Sequence, residues 1–527
     1  MPTSAADGPA PRTRLSRAWL AAAAAALFAT ALSAYLSRTV FDGIPHVSDG
    51  VSYAFQGKIL ASGRFYLPPP PVPEAFDTQN VILTADRWCS KYPPGFPLLL
   101  APGWWAGAPW LVNPILFGLA VLGAFQLARL LHDDRTALLA AALLAISPFG
   151  LLMGAGFMSH VPALAAGTWC LAALVSGVRS GRGALFAAAG FLGAFTFAIR
   201  PLTAVLLLAP GVAWSLWTER REGRGVRSFL FLSAGALPVV VALLALNQAL
   251  FGSPFRFGYT VYNPGEGFRD EKAQPLPPLE LLPKRLSWYL YDLSAATWGW
   301  PFGDLVPILA LLLPRARRRG DLLLAATAAA LVLGHAGYAF YDINHSGPRY
   351  AFEALAPLAI LVARGLLTLA GFGETLLSRA GAGKAAPAAA AAALLLLAIP
   401  PLGLRLPYFA QSLSRAYHGQ SAEPLRRAAE AGVGPEALVL VSGRVPAFGN
   451  DPARFSYGSF FLENALDPRT GRRVFAQDGP ALRPRLLEAY PRPEVWTVYV
   501  EFDRLPEIDP FLDNTWELTR IEWTRLR

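Results

Sequence analysis

Residues 184–217 read ALFAAAGFLGAFTFAIRPLTAVLLLAPGVAWSLW, and Arg200 is the only charged side chain among them. The halves Ala184–Ile199 and Leu202–Trp217 are apolar runs close to the length a helix needs to cross ~30 Å of hydrocarbon, paired by a tight turn at Arg200-Pro201. Outward from this pair the pattern repeats. Towards the N-terminus lie Ala18–Leu36, Trp110–Leu131, Thr136–Leu152 and Val161–Val178. Towards the C-terminus lie Val226–Leu250, Trp298–Leu313, Leu322–Tyr341, Phe352–Leu369 and Ala388–Leu404. These runs predict an all-α polytopic membrane bundle of about 11 transmembrane helices.

Composition points the same way. With 54% hydrophobic and 16% charged residues and a mean hydropathy of +0.37, the chain is too apolar for an ordinary soluble protein, and the excess must face lipid. Residues 405–527 carry 16 Arg against 16 Asp and Glu and no Lys, so the whole net charge of +10 lies in the apolar part. That placement suits basic loops facing anionic lipid and argues against nucleic acid as a partner. Arg135, Arg179 with Arg182, the Glu219–Arg227 cluster, Arg315 with Arg317–Arg319, and Arg379 with Lys384 fall on one side together with Arg12, Arg14 and Arg17. The positive-inside rule makes that side cytoplasmic. The N-terminal stretch has the outline of a signal peptide but no convincing cleavage site, so it reads as a retained first helix with a cytoplasmic N-terminus. Cys89 and Cys170 fall in a polar loop and an apolar run, which leaves no disulfide framework or zinc site. The Ala/Arg-rich, Lys-poor composition is of a bacterial kind, which places the chain in an inner (cytoplasmic) membrane.

The outer side receives Arg38–Pro94, Phe251–Thr297, turns near His160 and Arg200, the Asp342–Tyr350 loop and the C-terminal tail. Val51, Phe55 and Ile59 recur at helical spacing and predict a surface helix. Trp288, Tyr289 and Tyr291, ahead of Trp298 and Trp300, read first as an interfacial aromatic belt and second as a sugar-stacking platform. From Arg405 the composition turns soluble: helix-like Glu423–Ala431 and Ala481–Tyr490 interleave with strand-like Ala437–Val441, Val495–Glu501 and Trp516–Trp523. The prediction is a membrane domain over 1–404 followed by a small extracytoplasmic α/β domain over 405–527.

Chemistry is expected where polar groups sit at a cost to the bundle. Asp49, in Pro45-His46-Val47-Ser48-Asp49-Gly50, reads equally as a general base partly shielded from water or as a helix cap shared with Ser48. Arg200 and Arg349 lie on the side where basic residues are disfavoured. Their donor forks suit a phosphate, and the alternative is an arginine snorkelling to the interface. His46, His160 and His345 share that side without a metal-ligand spacing, which favours hydrogen-bonded interfacial histidines over a metal site. Glu266, Asp270, Glu271 and Lys272 form a Pro/Gly-rich stretch that reads as a solvated linker or a gating loop.

In order along the chain, HVSDGVSYAFQGKILASGRFYLPPPP from His46, KYPPGFPLLLAPG from Lys91, Arg200-Pro201, Asn247 with Phe251-Gly252-Ser253-Pro254, and Gly347-Pro348-Arg349-Tyr350 with Glu353 resemble the GT-C superfamily of membrane glycosyltransferases. The likeness is strongest to the branch of protein O-mannosyltransferases and the lipid A aminoarabinose transferase. The resemblance implies a GT-C-type bundle that takes a sugar from a polyprenyl-phosphate-linked donor to a glycan, lipid or protein acceptor on the outer face. Asp49 matches the family's first-loop catalytic base. Arg200 and Arg349 would hold the carrier phosphate with Tyr350, Lys91 and Tyr92 nearby, and His46, His160 and His345 stand as substrate contacts. No cofactor is required, with a divalent metal left open. Two departures stand out: Gly50 follows Asp49 where many relatives have a second acid, and Ser159-His160 stands where relatives often have another. The rivals are a transporter or flippase of polyprenyl-linked lipids, which would want a polar path through the membrane, and a non-catalytic carrier-binding envelope protein.

Overall fold

A computed structural model describes residues 17–263, 281–299, 303–313, 318–338, 343–379, 386–444, 457–505 and 516–527. Arg12, Arg14, Glu266, Asp270, Glu271, Lys272, Trp300, Arg315, Arg317, Asp342 and Lys384, which carried sequence expectations, lie outside these. The chain opens with α1 (Arg17–Thr39), α2 (Ser48–Ala61) and α3 (Gly95–Trp105), then α4 (Val112–Leu131), α5 (Asp134–Ala145), α6 (Pro148–Ala155), α7 (His160–Ser180), α8 (Gly183–Ile199), α9 (Pro201–Arg221) and α10 (Gly225–Phe251). Next come α11 (Gly258–Tyr262), α12 (Leu282–Trp298), α13 (Leu305–Ala310), α14 (Arg319–Ala336), α15 (Leu355–Arg379) and α16 (Ala386–Ala398).

Among the described residues, six helical stretches are each long and apolar enough to cross a membrane: Arg17–Thr39, Pro109–Leu131, His160–Ser180, Pro201–Arg221, Gly225–Phe251 and Arg349–Arg379. The protein is multi-pass, but several expected single crossings are shorter pieces among the described residues. Thr136–Leu152 is broken into α5 and α6, bent by 59°. There Ser147 Oγ accepts the Gly150 N–H at 3.1 Å as a new N-cap, and Pro148 cannot extend the preceding helix. Trp298–Leu313 is not one helix: α12 stops at Trp298, Gly299 takes a left-handed φ of +78°, and α13 has only 6 residues. α8 has 17 residues, and α16 has 13 before Pro400 and Pro401 divert the chain into a π-helical turn. α8 and α10 pack backbone to backbone: a Cβ on Gly190 would lie 1.9 Å from the Leu232 carbonyl oxygen.

Two small hairpins, β1 (Val81–Leu83) with β2 (Trp88–Ser90) and β3 (Ile343–Asn344) with β4 (Gly347–Pro348), fold the connecting segments back on the bundle. After Arg405 come α17 (Leu406–Leu413), α18 (Glu423–Glu430), β5 (Ala437–Arg444), β6 (Val474–Gln477), α19 (Arg483–Ala489), β7 (Glu494–Arg504) and β8 (Trp516–Arg525). The strands form one sheet in the order β6-β5-β7-β8, with β5 parallel to both neighbours and β8 antiparallel to β7. β6 has four residues, too few for its alternation to stand out in the sequence.

The surface-helix expectation for α2 is corrected. Val51, Phe55 and Ile59 are 2%, 4% and 0% exposed and belong to the same apolar core as Trp88, Leu438, Leu440, Phe461 and Val498. Lys58 on α2 donates to the Leu462 and Asn464 carbonyls at 2.8 and 2.7 Å. Apolar spacing says that one helix face is covered, not whether lipid or protein covers it. Of the aromatic belt, Trp288 and Tyr291 are exposed while Tyr289 and Trp298 are buried.

Candidate functional site

The site forms where the first turn of α2, the segment after β2, the α6–α7 junction, the α8–α9 turn and the 3₁₀ turn Arg349–Ala354 converge. α2 takes Val47 as its N-cap with no side-chain cap bond, so the Asp49 carboxylate is turned across the site. Its Oδ1 accepts the Tyr92 hydroxyl at 2.5 Å, and its Oδ2 accepts Arg349 Nη1 at 3.5 Å. Burial alone would raise the Asp49 carboxyl, but the Arg349 guanidinium, the Tyr92 hydroxyl and the Lys91 ammonium outweigh it and hold the pKa below the usual carboxylate value. Asp49 is therefore ionised at neutral pH. Burial and the Asp49 charge push the Tyr92 hydroxyl well up, so it remains a donor.

Arg349 follows directly on the β3–β4 hairpin, whose turn residues His345 and Ser346 have φ of +52° and +72°. Its Nη2 donates to the Tyr350 hydroxyl at 3.1 Å. Lys91 is buried above the Tyr262 ring, 4.6 Å from its centroid.

Arg200 closes α8 and opens α9. Its Nε donates to Thr203 Oγ1 at 3.2 Å and lies 3.4 Å from Glu353 Oε1, and its Nη1 donates to Ser159 Oγ at 3.2 Å. Ser159 in turn bonds the Tyr53 hydroxyl at 2.9 Å, and the Tyr53 ring lies 4.4 Å from the Tyr92 ring. Tyr53 thus links the two halves, and its hydroxyl feels the charges of Asp49, Arg200 and Arg349 together. The three residues singled out in sequence are brought into one cluster.

The histidines divide. His160 joins the cluster, with Nδ1 3.2 Å from Glu353 Oε1. His46 does not offer a free nitrogen to a substrate: its Nδ1 and Nε2 face the Tyr417 and Phe41 carbonyl oxygens at 3.1 and 3.0 Å. His345 packs its ring 5.1 Å from Phe41 and 5.3 Å from Tyr417. Both belong to the junction between α1, the β3–β4 hairpin and the segment after α17, and His345 Nδ1 has no hydrogen-bond partner among the described residues. Among the described residues no group of three or more His, Cys, Asp or Glu is arranged to hold a metal ion.

The missing second acid has a steric reason. A Cβ at Gly50 would lie 3.0 Å from Pro45 Cβ and 3.1 Å from Phe157 Cβ, so this position is closed to a longer side chain unless its neighbours give. Sequence reasoning gave no role to Tyr53 or Glu353. Glu353 carried a signal, a carboxylate at the start of an apolar run, where burial demands a partner.

The crystal structure of ArnT from Cupriavidus metallidurans bound to undecaprenyl phosphate matches over 92% of this chain and 94% of that one, at 15% identity and a TM-score of 0.55. The apo form of the same protein matches over 90% and 92%, at 15% identity and a TM-score of 0.53. The chain shares the fold of these structures. Residues 108–246 match the family model described as dolichyl-phosphate-mannose-protein mannosyltransferase, a stretch that holds Arg200 but neither Asp49 nor Arg349. No curated protein sequence matches the chain.

Proposed function

We propose that this chain is a GT-C glycosyltransferase that moves a sugar from a polyprenyl-phosphate carrier to a hydroxyl-bearing acceptor on the extracytoplasmic face, with Asp49 as general base. The observation that carries the reading is a half-buried, ionised carboxylate set 3.5 Å from Arg349 and linked through Tyr92, Tyr53 and Ser159 to Arg200. A proton acceptor and two anion-binding guanidiniums thus share one site. The acceptor oxygen attacks the anomeric carbon as its proton passes to Asp49. The bond from that carbon to the carrier phosphate oxygen breaks, its electron pair leaving with the phosphate. Arg349, with Tyr350 and Lys91 beside it, and Arg200 neutralise the departing phosphate. Asp49 then returns its proton to water. The topology that accompanies this reading puts the N-terminus in the cytoplasm and the sheet of residues 437–525 outside, packed on α2 behind Asp49.

The test is reconstitution in liposomes with a panel of polyprenyl-phosphate sugars, following release of free polyprenyl phosphate and labelling of acceptor. Asp49→Asn is expected to lower turnover by about 10²–10⁴-fold, the usual worth of a general base. Undiminished transfer by Asp49→Asn removes the base assignment. Carrier movement across the bilayer without cleavage of the sugar–phosphate bond replaces the transferase with a flippase.

A further inference from the structure

We infer that Glu353 is a positioning residue for Arg200: one buried carboxylate oxygen fixes the guanidinium that meets the carrier phosphate and ties it to the His160 ring. The inference rests on the phosphate role proposed for Arg200. Glu353 is 0% exposed and sits on the same 3₁₀ turn as Arg349, so a single local structure delivers both the partner of Asp49 and the partner of Arg200. Its Oε1 lies 3.4 Å from Arg200 Nε and 3.2 Å from His160 Nδ1. Its Oε2, like His160 Nε2, has no hydrogen-bond partner among the described residues. A carboxyl group this deep needs a partner, and Arg200 is the cation it meets.

The remaining bonds complete the clamp. His335 Nδ1 donates to the Leu331 carbonyl at 3.0 Å, which leaves Nε2 as an acceptor 3.5 Å from the Thr203 hydroxyl. Thr203 can therefore give its proton to His335 while its oxygen takes Arg200 Nε–H at 3.2 Å. Ser159 holds Nη1 at 3.2 Å. With Nε and Nη1 engaged, the guanidinium plane is set and Nη2 is left for a phosphate oxygen. Glu353 itself touches no substrate. Its effect passes through Arg200, by restricting rotamers that a long side chain would otherwise lose only on binding.

The experiment measures equilibrium binding of polyprenyl phosphate to the full chain in nanodiscs, alongside thermal stability. Glu353→Gln keeps an oxygen for both partners and is expected to bind as tightly as the parent. Glu353→Ala is expected to weaken binding about tenfold or more, because it removes the partner that Arg200 meets in a buried ion-pair contact. Added to Arg200→Ala, it should weaken binding no further. Where the alanine variant does not fold, Glu353→Asp, one methylene shorter, takes its place with the same direction of effect. Parent-like binding by the folded Ala or Asp variant overturns the inference, as does a loss that persists in full on the Arg200→Ala background. Unchanged binding by Arg200→Ala alone refutes the phosphate role beneath it. Turnover plays no part in the readout, so a chain that binds carrier without moving sugar leaves the Glu353 inference standing.

Discussion

Tyr92→Phe removes a single hydroxyl and tests whether Asp49 is the base. The lost bond is the 2.5 Å O–H···O⁻ contact to Asp49 Oδ1. A hydrogen bond to a charged group is worth about 1.5–3 kcal/mol, and one pH unit corresponds to ~1.4 kcal/mol, so its loss should raise the Asp49 pKa and displace the pH profile by about 1–2 pH units. Arg349 remains 3.5 Å from Oδ2, which keeps the group ionised at neutral pH. A base works only when deprotonated, so the acid limb of kcat/KM should move to higher pH by that amount. The assay is the pH profile of carrier release between pH 4 and 8, with Tyr53→Phe as control, because the Tyr53 hydroxyl bonds Ser159 and not Asp49. The same substitution should also lower stability at neutral pH. A carboxyl whose folded pKa is depressed contributes stability above its unfolded pKa and loses it as pH falls, and Tyr92 supplies part of that depression. An acid limb that stays put in Tyr92→Phe, or shifts equally in Tyr53→Phe, refutes the assignment.

Acidification should destabilise the junction after α17. Burial lowers His418 from 6.5 to about 3, so the unfolded chain binds the proton first and stability falls as pH drops from 6.5 towards 3. His418→Asn should flatten the fall in melting temperature between pH 7 and 5, with the other buried histidines lowered in the same direction, His345 and His46 among them, left to account for the remainder. Gly190→Val should force α8 and α10 apart and cost ~1–3 kcal/mol or more, read as a lower melting temperature, because its Cβ would stand 1.9 Å from the Leu232 carbonyl oxygen. Ser147→Ala should cost about 1 kcal/mol by removing the cap of α6, and an unchanged melting temperature would show that the break is held by Pro148 and packing alone.

Much of the bundle could be read from composition because lipid imposes one rule at every span: the backbone must satisfy itself in a helix and the side chains must be apolar. Ala184–Ile199 and Leu202–Trp217 obeyed it and became α8 and α9 within a few residues. The rule says little about where a run is interrupted. Ser147-Pro148 and Gly299 changed helices into shorter pieces through capping and backbone geometry that hydropathy averages away.

The candidate site was half legible. Asp49, Arg200 and Arg349 stood out because a charge beside apolar runs is costly, and that cost is local to each residue. Their partners did not, because a tyrosine in an aromatic-rich chain carries no such mark: nothing in the order of residues pairs Tyr92 with Asp49, or Tyr53 with Ser159. The fate of α2 shows the same division. Period and hydrophobicity established that Val51, Phe55 and Ile59 share a covered face, a property of one helix. That the cover is the sheet of residues 437–525, and that His46 gives both ring nitrogens to distant and neighbouring carbonyls, followed from chain segments up to several hundred residues apart meeting in space. Local burial cost is written in the sequence, whereas the identity of the partner that offsets it is a property of the tertiary fold.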